Sequence, residues 1–241
     1  MFAENHKKIR PDERLLQALA EQMKLPLLQI ARSSELARMT RQHEQQLETI
    51  ELTADTALKL LDNYLLSIKL AHMHSELEPI SVAGILTEAA HELSKLARQN
   101  QCELEVHLSG KYEPIMAHRE GLAAALASLG YVFIEAQKIT QTDDKPVLKL
   151  AAHRAKNGIV AGMFANFEGL SVDMYRRAKQ LYGNARQPLP GITAAGGAGV
   201  FVADSLLDTM SAHLRVAYHQ RQSGLAATFM SSRQLSLEET L

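Results

Sequence analysis

The sequence predicts an α+β protein, with a helical hairpin first and then a mixed sheet carrying helices on one face. Three observations lead there. Two long stretches before residue 77 repeat apolar residues at helical spacing. Beyond residue 78, helix-period and alternating segments follow one another in the order helix-strand-helix-strand-strand-helix-loop-helix-strand-strand. That order suits one sheet covered by helices. The expected organisation is a dimerisation hairpin over residues 1–77, an α/β unit over 78–232 and a polar tail over 233–241.

From about Asp12 to Arg41, Leu16, Leu19, Met23, Leu27 and Ile30 fall mostly three or four apart, on one helical face. The polar run RMTRQHEQQ interrupts the pattern. Leu47, Ile50, Ala54, Ala57, Leu61, Tyr64, Ile68 and Ala71 then follow at the three-and-four spacing of a coiled-coil seam, widened by Leu58 and Leu65. Two helices cannot cover so broad an apolar face alone. Pairing two hairpins into a four-helix bundle would bury it, so a homodimer is expected. The alternative is that both helices pack on the rest of their own chain. Pro26 lies inside the first helix, where it removes a backbone hydrogen bond and costs about 3 kcal/mol. That cost calls for a reason.

The second part opens with an amphipathic helix through Ile85, Leu86, Ala89, Leu93 and Leu96. CELEVHL alternates as a half-buried strand does. HREGLAAALASLGYVFIEAQKI reads as a second helix. PVLKLAAHRA and NGIVAGMFANF read as strands joined by a turn at Lys156-Asn157-Gly158. VDMYRRAKQLY is expected to be a short helix, GNARQPLPGITAAGGAG a loop, and VFVADSLLDTMSA a helix. HLRVAYHQ and LAATFMSS close the order as strands.

Composition excludes several classes. The chain has 241 residues, enough for a sizeable core. Its formal net charge of -1 offers nothing general to nucleic acid or anionic lipid. The longest apolar stretch, near GIVAGMF, is far short of a membrane span, and MFAENHKKIRPDER lacks the apolar core of a secretory signal. Cys102 is the only cysteine, so no internal disulfide forms. A cytoplasmic setting is expected, without membrane or nucleic-acid partners. His72/His74 and His213/His219 lack a neighbouring carboxylate at metal-site spacing, so no metal site is expected. Ser33 and Ser34 have no nucleophile motif around them, and Lys7, Lys8 and Arg10 form only a small basic cluster.

The element order and the residues around Pro26 resemble the dimerisation and ATP-binding core of bacterial sensor histidine kinases. That resemblance refines the fold expectation to a dimeric four-helix bundle followed by an α/β-sandwich of the histidine kinase ATPase type. It covers about residues 10 to 232. The family's His-Glu-Leu-Arg-Thr-Pro-Leu corresponds to Glu21-Gln22-Met23-Lys24-Leu25-Pro26-Leu27. Pro26, Leu27 and a basic residue, Lys24, are kept, which accounts for the costly proline. Glu21 replaces the phosphoacceptor imidazole, whose nitrogen attacks a phosphoryl group at neutral pH. Gln22 replaces the acid that accepts its proton. His43, near the hairpin turn, is a weak substitute.

The family's Asn-x-x-x-Asn-Ala-x-Lys corresponds to Tyr131 through Lys138. Ala136 and Lys138 remain, while Tyr131 takes the first asparagine position and Glu135 the magnesium-binding one. Glutamate can ligate magnesium but adds negative charge beside a triphosphate. The family's Asp-x-Gly-x-Gly corresponds to Ala165-Asn166-Phe167-Glu168-Gly169, without the aspartate that anchors adenine. Ala195 through Val200 resembles the family's last glycine motif, whose backbone N–H groups face phosphate ahead of a helix. Glu135, Lys138, Gly169, Gly197 and Gly199 thus mark a vestigial nucleotide site. Pro188 and Pro190 would stiffen the segment that forms the family's lid.

The resemblance therefore implies a catalytically degenerate histidine kinase-like protein, acting by protein–protein interaction in bacterial two-component-type signalling. Its catalytic motif is replaced at Glu21 and Gln22, and no cofactor is expected. Expected partners are a second copy and a response regulator or partner kinase. The alternatives are a divergent nucleotide-binding kinase, a phosphotransferase using another residue with Mg-ATP in play, or an unrelated structural α/β protein.

Overall fold

The structure, a computed structural model, describes residues 11–39, 43–72, 76–139, 145–166, 170–173, 175–176 and 192–232. Two long helices come first, α1 (Pro11–Met39) and α2 (His43–His72), packed against each other as a hairpin. Then follow β1 (Glu78–Ile80), α3 (Val82–Gln99), β2 (Glu103–Leu108), β3 (Ile115–Ala117) and α4 (Arg119–Ile139). The hairpin β4 (Val147–Ala155) and β5 (Gly158–Ala165) leads to α5 (Ile192–Asp208), and β6 (Leu214–His219) and β7 (Gln222–Phe229) follow.

Five strands form a mixed sheet in the order β2-β4-β5-β7-β6, parallel only between β2 and β4. β1 and β3 make a separate antiparallel pair, tied to the end of β7 by Met116 N–H donating to Met230 O at 3.0 Å. Alternation along each strand sets the faces. Leu148, Leu150 and Ala152 of β4, Met163 and Ala165 of β5, and Leu225 and Ala227 of β7 join the main core beneath the helices. Ala151, Val160, Phe164 and Ala226 form a second, smaller cluster on the other face. Burial on both faces explains why β5 is continuously apolar after its first residue.

α3 follows its sequence stripe closely. Ser81 caps it, accepting from Gly84 N–H at 3.2 Å, and Val82, Ile85, Leu86, Ala89, Leu93 and Ala97 are buried. α4 differs: every residue from Ser128 to Ala136 is buried. It packs against α3, α5, α2 and the sheet, so it is covered around its circumference.

The hairpin corrects two expectations. On α1 the inward face carries the buried Pro26 and Ser33 beside the half-buried Met23 and Ile30, whereas Leu27, expected inside, is 59% exposed. On α2, Leu52, Leu60, Tyr64 and Leu70 are buried, and Tyr64 and Leu70 belong to the main core. The hairpin docks on its own α/β layer through this face, which draws Tyr64 out of the expected seam. Leu47, Leu58 and Leu65, 60%, 59% and 52% exposed, line up on another face with the half-buried Ala54 and Leu61. β1 and β3 had no sequence signal, because three residues are too few to show a period.

Gly130 sets the α3–α4 distance. A Cβ there would lie 2.1 Å from Leu93 Cδ1 and 3.0 Å from its Cγ, so the leucine side chain would have to leave its place in the core. Gly130→Ala is expected to lower stability by about 1–2 kcal/mol: overpacking costs roughly 1–3, offset in part by a helix-propensity gain of up to about 1. Urea unfolding checks this, and Leu93→Ala in the same chain should remove most of the Gly130→Ala penalty.

Candidate functional site

α2, α3 and α4 enclose a cleft of about 310 Å³. Leu60 of α2, Leu93 and Leu96 of α3 and Tyr131 of α4 supply apolar lining, while Asp55, Lys59, Asp62 and Glu92 supply charge. Lys59 Nζ lies 3.1 Å from Glu92 Oε1 and links α2 to α3. Both groups are well exposed, so the pair contributes little and mainly aligns the two helices. Asn63 holds α2 to α4: its Nδ2 donates to Ala124 O at 3.3 Å and to Ser128 Oγ at 3.2 Å. Ser128 is fully buried, so this contact satisfies a group that water cannot reach.

Tyr131, at the resemblance's first asparagine position, is 5% exposed and lines this cleft. Burial, and then the negative charge of Glu135 one turn later, push its phenol pKa well above the usual value. It stays protonated and has one O–H to donate where an amide would offer a carbonyl and two N–H donors. Glu135 is buried on the same helix. Ala165 is fully buried in the main core, paired with Leu148 on one side and Ser223 on the other. A methyl group therefore stands where the resemblance places an adenine-anchoring carboxylate.

The glycine-rich segment is a correction. It was expected as a loop ahead of a helix, but α5 already begins at Ile192, so Gly197 and Gly199 lie within it. Amides from about residue 196 onward donate inside the helix and are not free to cradle phosphate. Gly199 is buried, and α5 packs along the alanine-rich α4. Small residues let two such helices lie close.

Glu21, Gln22 and Lys24 lie on α1 with Pro26, which is buried within that helix; the side chains of the first three are outside the described residues. The same holds for the side chain of Lys138, on α4. Phe167, Glu168, Gly169, Pro188 and Pro190 lie outside the described residues. Sequence reasoning missed Asn63, whose only signal is an amide between the buried Leu60 and Tyr64. It also missed Tyr175, whose hydroxyl lies 2.9 Å from Asp204 Oδ1 and against Leu214 O. Asp204 is buried on α5. Desolvation and then this carboxylate raise the Tyr175 pKa, so a neutral phenol ties its segment to α5 and β6.

Solved structures share this arrangement. The histidine kinase AdeS of Acinetobacter baumannii superposes with a TM-score of 0.54 at 10% identity, covering 89% of this chain and 98% of that one. Full-length ShkA, solved in complex with AMPPNP, gives a TM-score of 0.53 at 19% identity, covering 93% of this chain and 47% of that one. The fold is that of a histidine kinase core. The α/β part also matches the ATP-binding domain of PrrB from Mycobacterium tuberculosis, with a TM-score of 0.50 at 11% identity over 66% of this chain and 99% of that one. No family model and no curated protein matches the sequence. Among the described residues, no helix of this histidine kinase fold is long and apolar enough to cross a membrane.

Tyr175→Phe removes a hydroxyl that reaches both α5 and β6. It is expected to lower the free energy of unfolding by about 1–3 kcal/mol, read from the denaturation midpoint at unchanged slope.

Proposed function

We propose that this protein is a catalytically degenerate histidine kinase-like protein that works by binding other proteins in two-component-type signalling. In this reading a hairpin over residues 1–77 serves self-association and docking, and an α/β unit spans 78–232. The observation that carries the reading is Tyr131. A buried phenol, closed over by α2 and α3, occupies the position where the resemblance needs an amide for nucleotide. Ala165 in the core and the helical placement of Gly197 and Gly199 support it. So does the sequence itself, with Glu21 and Gln22 in place of the nucleophile and its base.

The open stripe of α2 supports a homodimer. Leu47, Ala54, Leu58, Leu61 and Leu65 keep coiled-coil spacing, and Leu47, Leu58 and Leu65 are more than half exposed. A second hairpin is an occupant with the same spacing. A response regulator or partner kinase would then dock on the outside of the paired hairpins, and the protein is placed in the cytoplasm of a bacterium.

Incubating the protein with radiolabelled Mg-ATP tests the loss of catalysis. No phosphoryl incorporation and no magnesium-dependent calorimetric signal are expected; stoichiometric phosphohistidine, or tight binding that needs magnesium, would establish the kinase or phosphotransferase alternative. Sedimentation equilibrium tests the dimer. Burying a leucine stabilises by roughly 1.5–3 kcal/mol, so Leu58→Glu with Leu65→Glu should raise the dimer dissociation constant at least about 100-fold while helical content is retained.

A further inference from the structure

The second face of the five-stranded sheet, the one carrying Ala151, Val160, Phe164 and Ala226, also carries a cluster of polar side chains at its edges. β2 and β6 are the two edge strands, yet their side chains meet. His107 Nδ1 lies 3.3 Å from His219 Nε2, with ring centroids 5.4 Å apart and the planes inclined at 67°. A sheet whose opposite edges touch is strongly curled. Gly162 and Gly224 permit that curl, because a Cβ on either would fall within 2.3 Å of a backbone carbonyl on the paired strand. Phe164, fully buried, forms the floor with its ring centroid 5.3 Å from that of His219.

The other nitrogen of His107 is also committed. Nε2 lies 2.8 Å from Glu105 Oε2. An ionised carboxylate only accepts, so Nε2 carries a hydrogen, and in the neutral ring that leaves the lone pair on Nδ1, facing His219. Lys149 completes the surround, with Nζ 3.6 Å from Glu105 Oε2 and 3.3 Å from Gln220 Oε1. Burial, followed by the charges of His107, His153 and Lys149, lowers the His219 pKa.

We propose that His107 Nδ1 and His219 Nε2 form a binding site for a borderline divalent transition-metal cation, zinc foremost, that clasps the two edges of the sheet. Two imidazole nitrogens bound to tetrahedral zinc at 2.0–2.1 Å stand about 3.3–3.4 Å apart, the separation already present. Glu105 supplies the outer carboxylate that such histidines characteristically carry, fixing the tautomer and raising the basicity of the ligating nitrogen. Without metal, the hydrogen between the rings sits on His219 Nε2 and points at His107 Nδ1. On binding, the cation replaces that hydrogen, which moves through solvent to His219 Nδ1, so both ligands remain neutral. Among the described residues no group of three His, Cys, Asp or Glu is arranged to hold a metal, so water fills the remaining positions. Affinity is therefore below that of a four-ligand structural site, and Lys149 lowers it further while Glu105 opposes that effect. His219 was set aside in the sequence for want of a nearby carboxylate; the tertiary fold supplies one through His107.

The test is calorimetric titration of the full chain with zinc chloride at pH 7.5 after chelator treatment, with a thermal melt at each end point. The chain has ten histidines, so the assignment rests on variants. One saturable ion per chain is expected, with a raised melting temperature. Both effects should be lost in His107→Ala and in His219→Gln, while Glu105→Gln should weaken binding about 10–100-fold. His213→Ala removes a highly exposed imidazole and should leave the titration unchanged. Circular dichroism of each metal-free variant separates loss of a ligand from loss of fold; if His107→Ala unfolds, His219→Gln alone decides. Absence of saturable zinc binding, or binding that survives in the folded His219→Gln variant, would reduce the pair to a hydrogen bond and overturn the proposal.

Discussion

An α-helix that is buried around its whole circumference must have a neighbour on every side, and α4 is such a helix. Its nine consecutive buried residues, Ser128 to Ala136, leave no solvent face over two and a half turns. The sheet covers one side, α3 and α5 two more, and α2 closes the last through Asn63. The packing of α2 on the α/β layer is thus a requirement of α4. Gly130 and the alanines of α4 allow the close approach, because each missing side-chain atom is space that a neighbour fills.

The same constraint governs the candidate site. Tyr131 and Glu135 lie on the buried stretch of α4, so both report on a packed interior. A phenol kept neutral by burial is compatible with that interior and supplies fewer hydrogen-bond groups than an amide would. In α5, glycines that could have lain in a loop are drawn into a helix lying along α4. Close helix packing and an exposed phosphate cradle make opposite demands on the same N–H groups, and here helix formation takes those from about residue 196 onward.

The hairpin divides its surface in two. One face of α2, through Leu60, Tyr64 and Leu70, is used by its own chain, and a second face with Leu47, Leu58 and Leu65 stays open. A continuous seam in the sequence therefore serves two purposes on different faces of one helix. The reach of α1 and α2 to α5, and of α2 to α4, makes the hairpin and the layer behind it mechanically continuous.

Local pattern was enough for α3, the β4–β5 hairpin and the two long helices, because a period of 3.6 or 2 is written into consecutive residues. Pro26 and its neighbours were legible for the same reason. Partners distant in sequence were not: Asn63 with Ser128, Tyr175 with Asp204, and His107 with His219 are joined only when elements meet. The start of α5 and the face that Tyr64 takes were also misjudged, since glycine content and a heptad do not say which neighbour will lie alongside. By itself the sequence determined the longer elements and the chemical groups they carry, through periodicity and side-chain type. Tertiary structure alone decided which groups are buried, which face stays open and which nitrogens converge, because those depend on how the sheet curls and how closely helices approach.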